Sequence, residues 1–309
     1  MASLTQNLIL AEYAVKYVEA IMSKGPGPAN RPESVVHRVL RDPDMPPVPK
    51  PLPGSEDATS WSGLKAWMSE RMYGSPQEQW ARNLQERQAN KTKEIEKAVN
   101  VQRDLIKTSI SNKADLDTEQ KAILVGATVE LSGLGNCGEQ SRVAFKYLVT
   151  KGAPGLAIVN WGKISRLSNQ ENALSGNHTF VVIGMDPNVP NVTEASLVFP
   201  PKWGENAVVC DPWYHDWLKV TSVNDWQSRM KRILGETRNI APDQPWLNRD
   251  VAHQRGKATE KEYAKSMADN WRFERQAFLP HGKPDLVKLA CESGNQLRTL
   301  RQMGTANWR

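Results

Sequence analysis

The stretch "LGNCGEQS", residues 134–141, places one of only three cysteines of a 309-residue chain directly after a glycine-containing turn. Asn136 is a residue type that caps helices well. Glu139 stands three positions later, where its carboxylate can reach back to the Asn136 amide. The pattern therefore predicts that a helix begins at Cys137, in the middle of the chain.

A cysteine at the first position of a helix has two interpretations. It is either a small buried side chain that fills the core, or a nucleophile. The positive end of the helix dipole and the free N–H groups of the first turn favour the thiolate, which is the reactive form. The same N–H groups can hold an oxyanion after the sulfur attacks a carbonyl carbon. Cys137 alone leaves both interpretations open.

The elements around this helix predict an α+β fold. A helix is predicted over "DTEQKAILVGATVEL", residues 117–131, and the helix that begins at Cys137 should end near Gly152, because Pro154 prevents its continuation. Short runs rich in β-branched residues follow and are predicted to be strands. These runs are "GLAIVN" (155–160), "HTFVVIG" (178–184), "ASLVF" (195–199) and "AVVC" (207–210).

Two of these strands carry residues that a nucleophilic cysteine needs. His178 leads into a strand that is apolar on both faces, so its imidazole is expected to point into the protein. Asp211 ends another strand, where Pro212 forbids further pairing. A carboxylate beside an imidazole fixes its tautomer and stabilises imidazolium. Cys137, His178 and Asp211 thus supply a nucleophile, a base and an orienting acid.

The motifs "GNCGEQS", "NHTFVVIG" and "VVCDPW" resemble the papain-fold, transglutaminase-like superfamily, and in particular its bacterial toxin and injected-effector branch. The resemblance implies a central helix packed on an antiparallel sheet. It further implies Cys137 as nucleophile, His178 as general base and acid, and Asp211 as orienting acid. The implied substrate is a protein, deamidated or transamidated at a glutamine side chain. A papain-like protease that cleaves peptide bonds is the alternative, and a non-catalytic helical interaction protein is the second alternative.

The residues that would bind the substrate are less defined by sequence. Asn136 and Trp213 are the candidates for substrate contact, and Trp213 could equally be a core side chain. Papain-type proteases have a glutamine about six positions before the cysteine, where this chain has Leu131. The second oxyanion donor therefore stays open among Asn136, Gln140 and Gln120.

The sequence offers two alternatives to the triad, a rival base and a metal site. His215 lies close to Asp211 in sequence, but placement on a strand favours His178 as the base. A metal site would need Cys210 together with Asp211, and adjacent strand residues point to opposite faces. No metal or organic cofactor is expected.

Composition and patterning predict four segments. They are an N-terminal helix with a proline-rich linker (1–60), a helical segment (61–114), the catalytic core (115–235) and a basic helical extension (236–309). Residues 229–309 carry 16 Lys and Arg against 9 Asp and Glu. This excess is interpreted as a solvated helical face, clearest over 259–279, and not as a nucleic-acid site.

Partners and location follow from the same features. The helical extensions could bind a partner protein or a chaperone, and no transmembrane segment is predicted. Three widely spaced cysteines fit a reducing compartment. The N-terminus does not resemble a signal peptide. Location in the cytoplasm of the producing cell is expected, with injection into a host or rival cell by a specialised secretion system as a further possibility.

Overall fold

The computed structural model describes residues 2–23, 76–164, 174–194, 202–219 and 271–293. The chain divides into two compact units, one formed by residues 27–102 and the other by residues 1–26 together with 103–309. Of the first unit, the structure describes the helical residues 76–102. The second unit contains the six-stranded sheet and all the residues of the candidate site.

Five α-helices lie in the described ranges. They are α1 (Leu4–Met22), α2 (Pro76–Ile106), α3 (Thr118–Ser132), α4 (Cys137–Thr150) and α5 (residues 284–293), and a π-helical turn, Lys107–Ser111, follows α2. Both predicted helices of the central region, α3 and α4, are confirmed. Within the described ranges, no helix has a stretch long and apolar enough to cross a membrane.

Within the described residues, six antiparallel strands form one sheet in the order β3-β6-β1-β2-β4-β5. Three of the predicted runs are confirmed as strands, since they form the main part of β1, β2 and β4, whereas the run at 195–199 lies outside the described residues. The predicted α+β class is therefore confirmed. The strands are β1 (Leu156–Ile164), β2 (Leu174–Ile183), β3 (Val192–Glu194), β4 (Val208–Asp211), β5 (Asp216–Lys219) and β6 (Trp271–Leu279).

Helices cover one face of the sheet. The main core joins α1, α3 and α4 to alternate residues of the strands, whereas a second cluster on the other face is built around Trp161, Phe180, Trp203 and Phe273. Helix α4 packs so closely on α3 that a Cβ at Gly126 would collide with the Arg142 carbonyl. The main core thus holds α4 against one face of the sheet, and the second cluster covers the other face.

Helix α1 belongs to this core, which differs from the predicted separate N-terminal segment 1–60. Its inner face is made of small residues, Ala11, Ala14, Val15 and Val18, which are at most 1% exposed. Small side chains allow the helix to approach the sheet closely, so burial of this face outweighs its distance in sequence from the rest of the core. The proline-rich linker at 43–53 lies outside the described residues.

The predicted helix over 259–279 is wrong for its last nine residues, which form strand β6. Residues 259–270 lie outside the described ranges. Strand β6 pairs with β1 on one side and β3 on the other, so it is an interior strand. Its register skips Gln276 between Arg275 and Ala277, and this bulge breaks the simple alternation of apolar residues. Pairing on both edges overrides the helix-favouring composition of the segment.

Candidate active site

The sheet brings His178 and Asp211 to the same face. Strands β2 and β4 pair with Val181 opposite Cys210. Continuing this register places Asp211 opposite Phe180. His178 lies two residues before Phe180 and therefore shares its face of the strand. The two candidate residues are thus diagonal neighbours on adjacent strands.

The imidazole and the carboxylate form a buried pair. Nε2 of His178 lies 2.6 Å from Oδ2 of Asp211, and the two side chains are 7% and 0% exposed. The other carboxylate oxygen accepts hydrogen bonds from the backbone N–H groups of Trp213, at 3.1 Å, and Tyr214, at 3.3 Å. The turn that follows β4 therefore fixes the carboxylate in the orientation that meets the imidazole.

The Cys137 sulfur lies within hydrogen-bonding reach of the same imidazole. Because Nε2 faces Asp211, Nδ1 is the nitrogen left for the sulfur. Burial alone would lower the pKa of His178, but the charge of Asp211 and the hydrogen bonds to Asp211 and Cys137 raise that pKa to about 9. At neutral pH the imidazole is therefore protonated, which is the state that stabilises a neighbouring thiolate.

Ser141 fixes the first turn of α4 against β2. Its hydroxyl lies 2.7 Å from the Cys137 carbonyl and 2.7 Å from the Thr179 carbonyl, so the hydroxyl proton is shared between helix and strand. Thr179 follows His178 in the chain. The contact therefore connects the residue that carries the sulfur to the strand that carries the imidazole.

Glu139 organises the residues just before the helix. Its Oε2 accepts a hydrogen bond from the Asn136 N–H at 2.9 Å, as the sequence predicts. Arg103, near the end of α2, donates two hydrogen bonds to the same carboxylate, from Nε at 2.7 Å and from Nη2 at 3.1 Å. A Cβ at Gly135 would collide with Glu139, so this turn requires glycine. Burial would raise the pKa of Glu139, but the hydrogen bond and charge of Arg103 lower it.

The three candidate oxyanion donors, Asn136, Gln140 and Gln120, lie in different parts of the fold. Gln120 caps α3, where its side chain accepts from the Asp117 N–H at 2.9 Å. Gln140 is 3% exposed, and its carboxamide donates to the Gly135 carbonyl at 3.3 Å. Asn136 lies half-buried directly before Cys137. The backbone N–H groups at the start of α4 are therefore the donors best placed for charge that develops beside the sulfur.

The remaining predicted residues lie at the edge of the site or apart from it. Trp213 is 7% exposed, so little of its ring is open to a ligand, and its backbone supports Asp211. His215 has a positive φ of 52° in the turn, and its Nδ1 lies 3.7 Å from Glu19 on α1. Cys210 is fully buried on the helix-covered face, where its sulfur contacts the Ala11 carbonyl. The carboxylate of Asp211 thus pairs with His178 and not with His215.

Two arginines near the start of α4 were not predicted from sequence. Arg103 reaches Glu139 from a helix that begins at Pro76. The two residues are 36 positions apart in sequence, and no local pattern predicts a contact at that separation. Arg142 lies on α4 itself, where its spacing from Cys137 gives no functional signal. The charge of Glu139 acts on both guanidinium groups, and Cys137 makes a smaller electrostatic contribution to each. A search for basic residues near the start of the helix would have found Arg142 and missed Arg103.

No family model matches the chain, and no curated protein or solved structure matches it either. What the site can do therefore follows from its own side chains. It holds a cysteine at a helix N-terminus, an imidazole whose pKa that cysteine helps to raise, and a buried carboxylate 2.6 Å from the imidazole. Such an arrangement can transfer an acyl group through a thioester.

Proposed function

We propose that the protein is a cysteine-dependent amide-processing enzyme with a papain-like, transglutaminase-like core, which acts on glutamine side chains of a protein substrate. The observation that carries the proposal is the buried pair of His178 and Asp211, 2.6 Å apart, on an imidazole whose pKa is also raised by Cys137 at the start of α4. A central helix that begins at the cysteine and packs on an antiparallel sheet supports the type of core.

The reaction begins with attack of the Cys137 sulfur on the carboxamide carbon. The sulfur attacks as a thiolate because its proton resides on His178, whose imidazolium is stabilised by Asp211. The carbonyl oxygen becomes an oxyanion, which the N–H groups at the start of α4 stabilise. His178 then gives its proton to the amide nitrogen, the carbon–nitrogen bond breaks, and ammonia leaves a thioester on Cys137.

The second half of the reaction resolves the thioester. His178 takes a proton from water, the hydroxide adds to the thioester carbon, and the carbon–sulfur bond breaks to release a carboxylate. The net change is one amide and one water converted to one acid and one ammonia. An amine in place of water gives a crosslink by the same steps, and attack on a backbone amide gives peptide cleavage.

Intact-mass analysis of glutamine-rich test proteins, incubated with the purified chain, tests the proposal. Deamidation gives the small mass gain of an amide-to-acid conversion, an added primary amine gives an adduct, and proteolysis gives new termini. Cys137→Ala is expected to abolish the product and keep the fold, whereas Cys291→Ala, which removes an exposed cysteine, is expected to leave the product unchanged. Equal activity of both variants would disprove the proposal.

A further inference from the structure

A buried polar pair lies under the first turn of α4. Asn160 on β1 and Thr179 on β2 are 4% and 5% exposed and stand directly opposite each other in the antiparallel ladder. The Thr179 hydroxyl donates a hydrogen bond to Oδ1 of Asn160 at 3.0 Å. The next residues on the same face of each strand, Ile158 and Val181, belong to the main core. The pair is therefore a polar contact on the apolar, helix-covered face of the sheet.

Thr179 connects this pair to the start of α4. Its carbonyl lies 2.7 Å from the Ser141 hydroxyl, which lies at the same distance from the Cys137 carbonyl. A Cβ at Gly138 would lie 3.8 Å from the Thr179 hydroxyl oxygen, so the helix backbone passes close to that oxygen. The first turn of α4 thus packs on Thr179, whose own side chain is fixed by Asn160.

The neighbouring pair of the ladder carries His178. It lies opposite Trp161, and the register of β1 and β2 shifts between Trp161 and Lys163. His178 therefore belongs to the last regular pair before this irregularity, and regular pairing supports its backbone from the side of Thr179. Irregularities of this kind change the direction in which side chains point. The bond between Asn160 and Thr179 is therefore placed where it can hold the backbone of His178 in one orientation.

Two polar side chains at this place need a physical reason, because apolar residues of the same shape would fill the same space. A buried hydroxyl and a buried carboxamide lose their hydration, and the hydrogen bond between them returns little net stability. The bond does supply direction, since it forms only within a narrow range of distances and angles, whereas apolar contacts are non-directional. Direction is what a catalytic imidazole requires.

We infer that Asn160 and Thr179 are positioning residues, which fix the imidazole of His178 relative to the start of α4. The inference rests on the proposed roles of Cys137 and His178 and adds the residues that hold their two elements in a fixed relation. Neither Asn160 nor Thr179 gives or takes a proton in the reaction. They act through the backbone of β2 and through Ser141.

Four variants test the pair. Thr179→Val removes the hydroxyl but keeps the branched shape and the carbonyl that Ser141 contacts, and Thr179→Ser keeps the hydroxyl and should behave like wild type. Thr128→Val is the matched control, because that half-buried hydroxyl bonds to its own helix, at the Leu124 carbonyl. The double variant Asn160→Leu/Thr179→Val replaces both polar partners by apolar groups of similar size, so it leaves no oxygen of the pair buried and unpaired.

The double variant shows whether the pair positions His178 or only stabilises the fold. Thr179→Val should lower the urea midpoint, and the double variant should bring it back towards wild type, because replacing both partners is nearly neutral for stability. The kcat of the double variant on a glutamine substrate should nevertheless stay about tenfold below wild type, with little change in KM, because the directional bond is still missing. Recovery of kcat together with the midpoint would overturn the inference.

The carbon-bound ring protons of His178 report the position of the imidazole without any substrate. The imidazole and the Tyr214 ring have centroids 5.0 Å apart, so a small displacement changes the ring-current shift of these protons. With isotope-labelled histidine, the NMR signals that are lost in His178→Gln identify the residue. They should move in Thr179→Val and in the double variant, and keep their wild-type positions in Thr128→Val. Unchanged signals in the double variant would overturn the inference.

The inference and the proposed function fail in distinguishable ways. If wild type forms no product from any amide substrate but the His178 signals move as expected, the proposed function is rejected, and the effect of the pair on His178 stands. If wild type forms the product and the double variant has the same kcat and the same His178 signals, the function stands and the positioning role of Asn160 and Thr179 is rejected.

Discussion

The carboxylate of Asp211 lies 2.6 Å from Nε2 of His178 and is completely shielded from solvent, with its second oxygen held by two backbone N–H groups. A charge held in this way has little freedom to move away from the imidazole. The pair is therefore preorganised before any substrate binds, and the cost of ordering it is met during folding.

Asp211→Asn should reduce kcat/KM by at least about 100-fold, because the neutral amide no longer stabilises the imidazolium. The asparagine oxygen can still accept from Trp213 and Tyr214, so the turn should keep its shape. Steady-state kinetics with a glutamine substrate measures the loss. Asp186→Asn, a change at an exposed aspartate, serves as the control. An equal loss in both variants would contradict the role of Asp211.

The pH dependence of activity should have an alkaline limb set by His178. Its pKa is raised to about 9, so the imidazolium that protonates the leaving nitrogen is lost as the pH rises through that value. The carbon-bound ring protons of His178, followed by NMR in a Cys137→Ser background, should titrate above the ordinary histidine range. In Asp211→Asn the midpoint should fall. A midpoint near 6.5 in both proteins would refute the buried pair.

The free energy of unfolding should also depend on pH through the raised pKa of His178. The pKa of His178 is higher in the folded protein than in the unfolded chain. Its contribution to the free energy of unfolding is therefore complete below about pH 6.5 and is lost as the pH rises through about 9. Urea unfolding at both ends of this window should show wild type losing about 2 kcal/mol more than Asp211→Asn. Parallel pH profiles for the two proteins would count against the prediction.

Ser141→Ala tests whether Ser141 positions Cys137 relative to His178 without taking part in the reaction. The hydroxyl ties the Cys137 carbonyl to the strand of His178, so its loss should lower kcat by about tenfold with little change in KM. Thr150→Ala is a matched control, because that hydroxyl bonds only to its own helix, at the Tyr147 carbonyl. A fall in kcat of the same size in both variants would show that helix stability alone is responsible.

The Arg103–Glu139 contact should stabilise the turn before the nucleophile. Arg103→Ala leaves the carboxylate of Glu139 poorly solvated, at a cost of about 1–2 kcal/mol, since Arg103 itself is 46% exposed. Glu139→Gln should cost less, because its side-chain oxygen can still accept from Asn136. A double-mutant cycle of unfolding free energies isolates the pair. A coupling energy of zero would mean that the contact does not hold the turn.

Much of the site was predictable because its signals are local. The helix start at Cys137 follows from Asn136 and Glu139, and the strands of His178 and Asp211 follow from β-branched runs that end at glycine or proline. The sequence allowed the proposal that Cys137, His178 and Asp211 lie close together. It could not give the distances between them, because these depend on the pairing of β2 with β4 and on the contact of Ser141 with β2.

The errors lie where distant pairing decides the structure. Helix-favouring residues between Arg272 and Gln276 hide an interior strand, and its neighbours β1 and β3 are more than a hundred and about eighty residues away in sequence, respectively. Likewise, the small-residue face of α1 is typical of many helices and does not show which surface it covers. Arg103 reaches Glu139 only because of the course that α2 takes, and no local sequence pattern predicts that course.

Strand β6 has a consequence for synthesis. Because β6 lies between β3 and β1, the sheet has a gap at its interior until residues 271–279 have left the ribosome. Until then β1 presents an open edge, which can pair with other chains. A nascent polypeptide therefore keeps this edge of β1 exposed until strand β6 has been synthesised and can cover it.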